Sequence, residues 1–223
     1  MKQPAERRDL TPAFWAELSR LLPPSPVIFD LGAHGMEEAE ILLPQLSGRA
    51  VWHSFEANPE CCASIRRHSL AFLQDRADII LNEVAVSSTV GTATLYRSRK
   101  VDGQPWTPSS SIRKPKRATE QFPWMAFDDG IVVPTTTLDL YCQQHGVEHI
   151  NLVKMDIQGA EVDAIRGGLL TFARTDYVLT EIGCCEEYEG QLGLEGLLDE
   201  LPGKWELMEW LLGDALLRNV TIP

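Results

Sequence analysis

The chain carries 223 residues, 44% of them hydrophobic, and 20 basic against 32 acidic side chains for a formal net charge of -12. This length encloses one good core rather than two full ones, and the negative charge opposes sequence-independent attraction to a nucleic-acid backbone. No run approaches the roughly 20 apolar residues of a membrane helix, and the first residues are charged rather than forming a signal peptide, so neither nucleic acid nor a membrane is an expected partner and a cytoplasmic location is expected.

In chain order, Leu10, Phe14, Leu18, Leu21 and Leu22 fall at helical spacing, with Thr11 or Asp9 as a cap and Pro23, Pro24 and Pro26 as a stop. Residues 1–26 are expected to form this helix and a linker ahead of a single domain over 27–223. An apolar, β-branched run over 27–31 between prolines and Gly32 reads as a buried strand, followed by a helix over about 36–46. The unit repeats with a strand over 50–55, a helix over 59–72 and a third strand opening at 79–81, with an extra strand near 93–97. Periodicity is then lost over 98–130, a length that suggests a lid or mobile segment. Trp106, Phe122, Trp124 and Phe127 punctuate it, and the Ser109-Ser110-Ser111 run precedes a basic cluster of Arg113, Lys114, Lys116 and Arg117 that reads as a solvated face. Alternation resumes with a helix over 137–145, a strand over 150–155, a helix over 160–170, a strand over 177–182 and a helix over 192–201. Strands over 205–210 and 215–220 around Gly213-Asp214 close the chain as an antiparallel hairpin. Strands alternating with helices predict a doubly wound α/β fold with a mostly parallel sheet. The cysteines, Cys61, Cys62, Cys142, Cys184 and Cys185, show no CxxC spacing and are expected to be reduced thiols, not a zinc site.

Asp30-Leu31-Gly32-Ala33-His34-Gly35 sits where the first strand hands over to the first helix, the place where a doubly wound fold binds a nucleotide-like ligand. Glycine there lets the backbone approach a ligand, and the helix start offers unpaired N–H groups. Glu56 ends the second strand, where an acid accepts both hydroxyls of a ribose. These residues suit either a dinucleotide or S-adenosylmethionine. The missing third glycine and an acid at Asp30, which would repel a pyrophosphate but favour a cationic methionine end, tip the balance to S-adenosylmethionine. After the third strand, Asn82 or Glu83 is placed to accept from an adenine amine, with Ala85 beside the ring.

Four segments, VIFDLGAHG, FEANPE, TTTLDLY and LVKMDIQGAE, resemble FkbM-family methyltransferases in the same order and span about residues 27–182. The resemblance implies a class I methyltransferase-like, Rossmann-like sheet of seven strands. It puts Asp30, Gly32 and Ala33 at the methionine end of S-adenosylmethionine, with the second glycine at Gly35, and Glu56 on the ribose. His34 stands where the family has asparagine, and Met36 where it tends to have glycine. The implied activity is O-methylation of a hydroxyl on a small molecule such as a sugar or secondary metabolite.

The segment Lys154-Met155-Asp156-Ile157-Gln158-Gly159-Ala160-Glu161 carries the chemistry. Apolar residues bring the fourth strand up to Asp156, leaving its carboxylate at the sheet's C-terminal edge as the base for an acceptor hydroxyl; the bland alternative is a helix cap. His34 is the second candidate proton acceptor. Lys154 is expected to pair with Glu181 or Asp156 or to orient a substrate oxygen, and Glu161 and Glu181 complete the substrate side. Asp156, Glu161 and Glu181 are also the candidates for a divalent ion, but no metal is expected. Asp139 reads as an exposed or capping residue. Two other functions fit the same residues: an NAD-type oxidoreductase, and a non-catalytic protein that keeps the cofactor pocket to serve a partner.

Overall fold

The computed structural model describes residues 10–183 and 185–222, so Asp9 and Cys184 lie outside the described residues. The strands are β1 (Val27–Leu31), β2 (Ala50–Phe55), β3 (Ala77–Asn82), β4 (Ala85–Val86), β5 (Gly91–Leu95), β6 (Ser98–Lys100), β7 (Met125–Phe127), β8 (Ile131–Thr136), β9 (Ile150–Met155), β10 (Thr175–Glu181), β11 (Trp205–Trp210) and β12 (Asp214–Asn219). The helices are α1 (Pro12–Leu21), α2 (Glu37–Leu42), α3 (Pro59–Leu73), α4 (Ala118–Gln121), α5 (Leu138–His145), α6 (Glu161–Arg166), α7 (Leu169–Phe172) and α8 (Leu194–Glu200).

Seven strands form one sheet in the order β11-β12-β10-β9-β1-β2-β3. Pairing is parallel from β10 to β3, and β12 runs antiparallel between β10 and β11. Successive residues of each central strand feed opposite cores, as the period of two requires. Ile28, Leu152, Leu179 and Leu216 pack with Phe14, Trp15 and Leu18 of α1 and with α2 and α3. Phe29, Val153, Val178 and Leu217 pack with α5, α6, α7 and α8 on the other side. Buried on both faces, these strands read as continuous apolar runs. Strand order reverses between β1 and β9, which opens a crevice outside their C-terminal ends.

Capping follows the sequence. Thr11, Asn58 and Thr137 each accept from a backbone N–H in the first turn of α1, α3 and α5. Two expected helices are shorter than their periodicity. The one over 36–46 ends as α helix at Leu42 and continues as a 3-10 turn that carries Pro44. The one over 160–170 breaks at Gly167-Gly168 into α6 and α7, where a Cβ on Gly167 would meet the Ser87 carbonyl oxygen at 2.1 Å. Asp139 caps α7, accepting from the N–H groups of Leu170 and Thr171.

A second sheet, β4-β8-β5, was not foreseen: the extra strand near 93–97 is β5, and it pairs with β8, whose Pro134 and threonines hide it. Within 98–130, expected to be irregular, β6 pairs with β7. Among the described residues Cys61, Cys62, Cys142 and Cys185 are free, and no helix is long and apolar enough to cross a membrane.

Candidate active site

A crevice of about 280 Å³ lies at the β1/β9 switch point. It is lined by Gly32 and His34 from the first turn, Glu37 and Glu38 from α2, Phe55 and Glu56 at the end of β2, Val84 to Val86, Thr107, Pro108 and Ser110 to Ile112 from the excursion, and Lys154, Asp156, Ile157 and Ala160. The Asp156 backbone N–H donates to Leu31 O at 3.0 Å and so fixes that residue at the sheet edge. Gly32 has φ +81, and a Cβ there would lie 2.0 Å from the Asp156 carbonyl oxygen, so glycine is what lets the two strand ends close.

Glu56 is buried, and each of its carboxylate oxygens takes one backbone N–H: Oε2 from His34 at 2.8 Å and Oε1 from Asn58 at 2.7 Å. A carboxylate oxygen has a second lone pair, so both keep an accepting site for a ligand hydroxyl. Burial raises its pKa, against the pull of those two N–H groups.

Lys154 is buried among three carboxylates, with Nζ 3.5 Å from Asp30, 3.5 Å from Glu38 and 3.9 Å from Asp156, and it donates to Gly32 O at 3.2 Å. The expected pairing with Glu181 is replaced by Asp30, because cross-strand partners on β1 and β9 share a face. Burial opposes the lysine charge, yet Asp30, Asp156 and Glu38 outweigh it and raise the pKa. Burial pushes the Asp30 carboxyl up to about 7. Asp30 is fully buried behind the crevice and does not line it.

His34 is tied on both nitrogens, to Glu37 at 3.0 Å and Thr107 at 2.9 Å. The bond to Glu37 raises the imidazole pKa and lowers Glu37 to about 2, so both ring nitrogens of this crevice-lining histidine are engaged. Glu161 is likewise turned away from the crevice, accepting from the N–H groups of Ile157 and Gly159, and burial raises it to about 7. Its carboxylate ties the turn that leads into α6 and does not line the crevice. Glu181 also lies outside the lining, and burial followed by the charges of Asp156 and Glu161 raises its pKa well above the usual carboxylate range. Among the described residues, no three His, Cys, Asp or Glu side chains converge to hold a metal.

The adenine-side expectation divides. Ala85 lines the crevice with Val84 and Val86. Asn82 instead donates to Ser54 O and Ile80 O, knitting strand ends together, and Glu83 is exposed and ion-paired with Arg66. Ala33 is buried in the core, and the Gly35 carbonyl accepts from Ser69, so neither lines the crevice. Sequence reasoning missed Glu37, Glu38 and Thr107. The acidic run opening α2 was the visible signal for the first two, because carboxylates gather at a helix N-terminus.

A family model described as the FkbM domain of methyltransferases matches residues 30–209. The chain is 38% identical over 210 residues to the 2-O-methyltransferase NoeI of Sinorhizobium fredii (strain NBRC 101917 / NGR234), covering 92% of this chain and 84% of that protein. Among solved structures it is similar to the FkbM methyltransferase of Methylobacillus flagellatus KT, with a TM-score of 0.55 and 14% identity over 93% of this chain. It spans only 50% of that longer chain. An O-methyltransferase of Bacillus cereus matches 94% of this chain and 81% of its own at 12% identity and a TM-score of 0.48.

Proposed function

The chain belongs to the FkbM methyltransferase family, and from that premise we propose that it transfers a methyl group from S-adenosylmethionine to a hydroxyl oxygen of a small molecule such as a sugar. The 2-O-methyltransferase relative supports oxygen as the acceptor atom. The observation that carries the reading is the lining itself: Glu37, Glu38, Glu56 and Asp156 face one crevice whose buried cation is Lys154. Such a wall attracts a cationic methionine end and repels a pyrophosphate, which argues against a dinucleotide. We place this chemistry in the cytoplasm.

S-Adenosylmethionine, when bound, supplies an electrophilic methyl group on a sulfonium. Glu56 holds the ribose hydroxyls with its two open lone pairs, while Phe55, Val84, Ala85 and Val86 offer an apolar wall to the adenine. Gly32, Glu37 and Glu38 face the methionine end, and Asp30 acts from behind through Lys154. Asp156 accepts the hydroxyl proton as the new carbon–oxygen bond forms, and Lys154 holds that carboxylate from the side. Thr107 to Ile112 cover the crevice and exclude water.

The test uses methyl-labelled S-adenosylmethionine with a panel of methyl glycosides as acceptors, the product being a labelled ether. Asp156→Asn is expected to lower turnover about 100-fold while cofactor affinity changes little. Label transfer at the wild-type rate in that variant would move the base elsewhere.

A further inference from the structure

The turn after Asp156 holds a hydrogen-bonded chain for which the proposed reaction has so far given no use. Gln158 Nε2 donates to Asp156 Oδ1 at 2.8 Å and also to Glu181 Oε2. Its other amide atom, Oε1, accepts from the Tyr188 hydroxyl at 3.0 Å. The same hydroxyl reaches the Ser109 carbonyl at 2.8 Å, and the Ser111 hydroxyl donates to the Gln158 carbonyl at 2.7 Å. The Ser111 bond joins the loop over the crevice directly to the turn that carries the carboxylate, and Tyr188, whose one proton is shared between Gln158 Oε1 and the Ser109 carbonyl, bridges the same two segments.

The backbone is arranged for this contact. Gln158 has φ 54, which costs a non-glycine residue energy that its surroundings must return. Gly159 follows with φ +91, and a Cβ there would lie 2.8 Å from Tyr188 Cβ. Tyr188 is itself buried, so the strained turn is what admits its ring.

We propose that Gln158 and Tyr188 are positioning residues that lock the Asp156 carboxylate to the loop over the crevice, so that closing the loop and aiming the carboxylate are one event. This rests on the reading of Asp156 as the proton acceptor. Gln158 presents an N–H to the charged carboxylate, Tyr188 fixes which way the Gln158 amide faces, and Ser109 and Ser111 report the position of the loop. With the loop displaced, the Gln158 amide is free to rotate and Asp156 loses that donor, while Lys154 stays beside it.

The titratable and charged groups facing Asp156 are Lys154 on its own strand, Glu181 on β10, Glu161 on α6 and Tyr188 from the segment after β10, with Asp30 and Glu38 acting through Lys154. Gln158 is the uncharged member of this set.

The experiment reads the carbon-13 resonance of the Asp156 carboxyl at one fixed pH in the ligand-free protein labelled at aspartate carboxyls, assigned by its absence in Asp156→Asn. Gln158→Leu removes the Nε2 donor and should displace that resonance. Tyr188→Phe, which removes one oxygen and keeps the ring, should move it in the same direction by less. Amide exchange at residues 109–112 should quicken at least about tenfold in Tyr188→Phe. An unchanged Asp156 resonance in both variants overturns the proposal, as does unchanged loop exchange in Tyr188→Phe, a variant that keeps the buried ring if the leucine variant fails to fold. The labelled-methyl assay on Asp156→Asn separates the two readings. Retained turnover there removes Asp156 as the base, whereas lost turnover beside an unmoved resonance removes only the lock.

Discussion

Three non-glycine residues among those described have left-handed backbone, His34 (φ 44), Met36 (φ 67) and Gln158 (φ 54), and all three belong to the two turns that meet at the crevice. Histidine tolerates this conformation better than most residues, as asparagine does, which accounts for His34 standing where the family has asparagine. Met36 is different, because its long side chain is fully buried in the α1/α2 core. Left-handed backbone costs it about 1–2 kcal/mol, and emptying a buried methionine site costs about 2–5 kcal/mol, so packing outweighs strain. Met36→Gly is therefore expected to destabilise the fold by about 1–3 kcal/mol in urea unfolding, despite restoring the glycine the family favours. A stability gain would mean that the side chain contributes little to the core. The glycine reading of the first turn was legible because Gly32 sits at the strand end. The tie between His34, Glu37 and Thr107 was not, since Thr107 lies 73 residues away and is brought there only by the fold.

At the level of elements, β2 meets α5 through a titratable side chain. His53 is buried between Phe29 and Tyr141, with Nδ1 2.8 Å from the Tyr141 hydroxyl. Burial, and then the charge of His145, lowers its pKa from 6.5 to about 4. Between those values the unfolded chain takes up a proton that the folded chain refuses, so this histidine's contribution to stability is lost as pH falls from about 6.5 to about 4. Asp30 and Glu161 act in the opposite sense: each is raised to about 7, and the stability each contributes at low pH is lost as pH rises toward that value. The comparison must therefore be between variants rather than along one curve. His53→Phe should show a smaller drop in melting temperature from pH 7 to pH 5 than the wild-type chain, and an equal drop would remove His53 as the cause. Elements that bury an apolar run were legible from their residues, as β1, β2 and β9 show. β8 escaped because Pro134 and its threonines weaken the pattern, and the α6/α7 break escaped because helical periodicity runs on through Gly167-Gly168. The reason for that break, the Ser87 carbonyl pressed against Gly167, comes from a loop far away in sequence.

Across the whole molecule, the net charge of -12 is not spread evenly, since four carboxylates line one crevice at the sheet's switch point. The mostly parallel sheet, its closing hairpin and the turn over 30–35 at its edge were legible from alternation, whereas the strand order is set by the fold. Glu56 and Asp156 were legible and do line the crevice, whereas the burial that turns Asp30 and Glu161 away from it was not. The proposed function requires this acidic crevice to take S-adenosylmethionine and not a dinucleotide, with Glu56 on the ribose. Titration calorimetry of S-adenosylmethionine and, separately, of NAD into wild-type protein and Glu56→Ala tests it most directly. Binding of S-adenosylmethionine alone is expected, weakened by about 1–3 kcal/mol in Glu56→Ala, the range for losing hydrogen bonds to a charged group. Binding of NAD, or unchanged affinity for S-adenosylmethionine in Glu56→Ala, would contradict it.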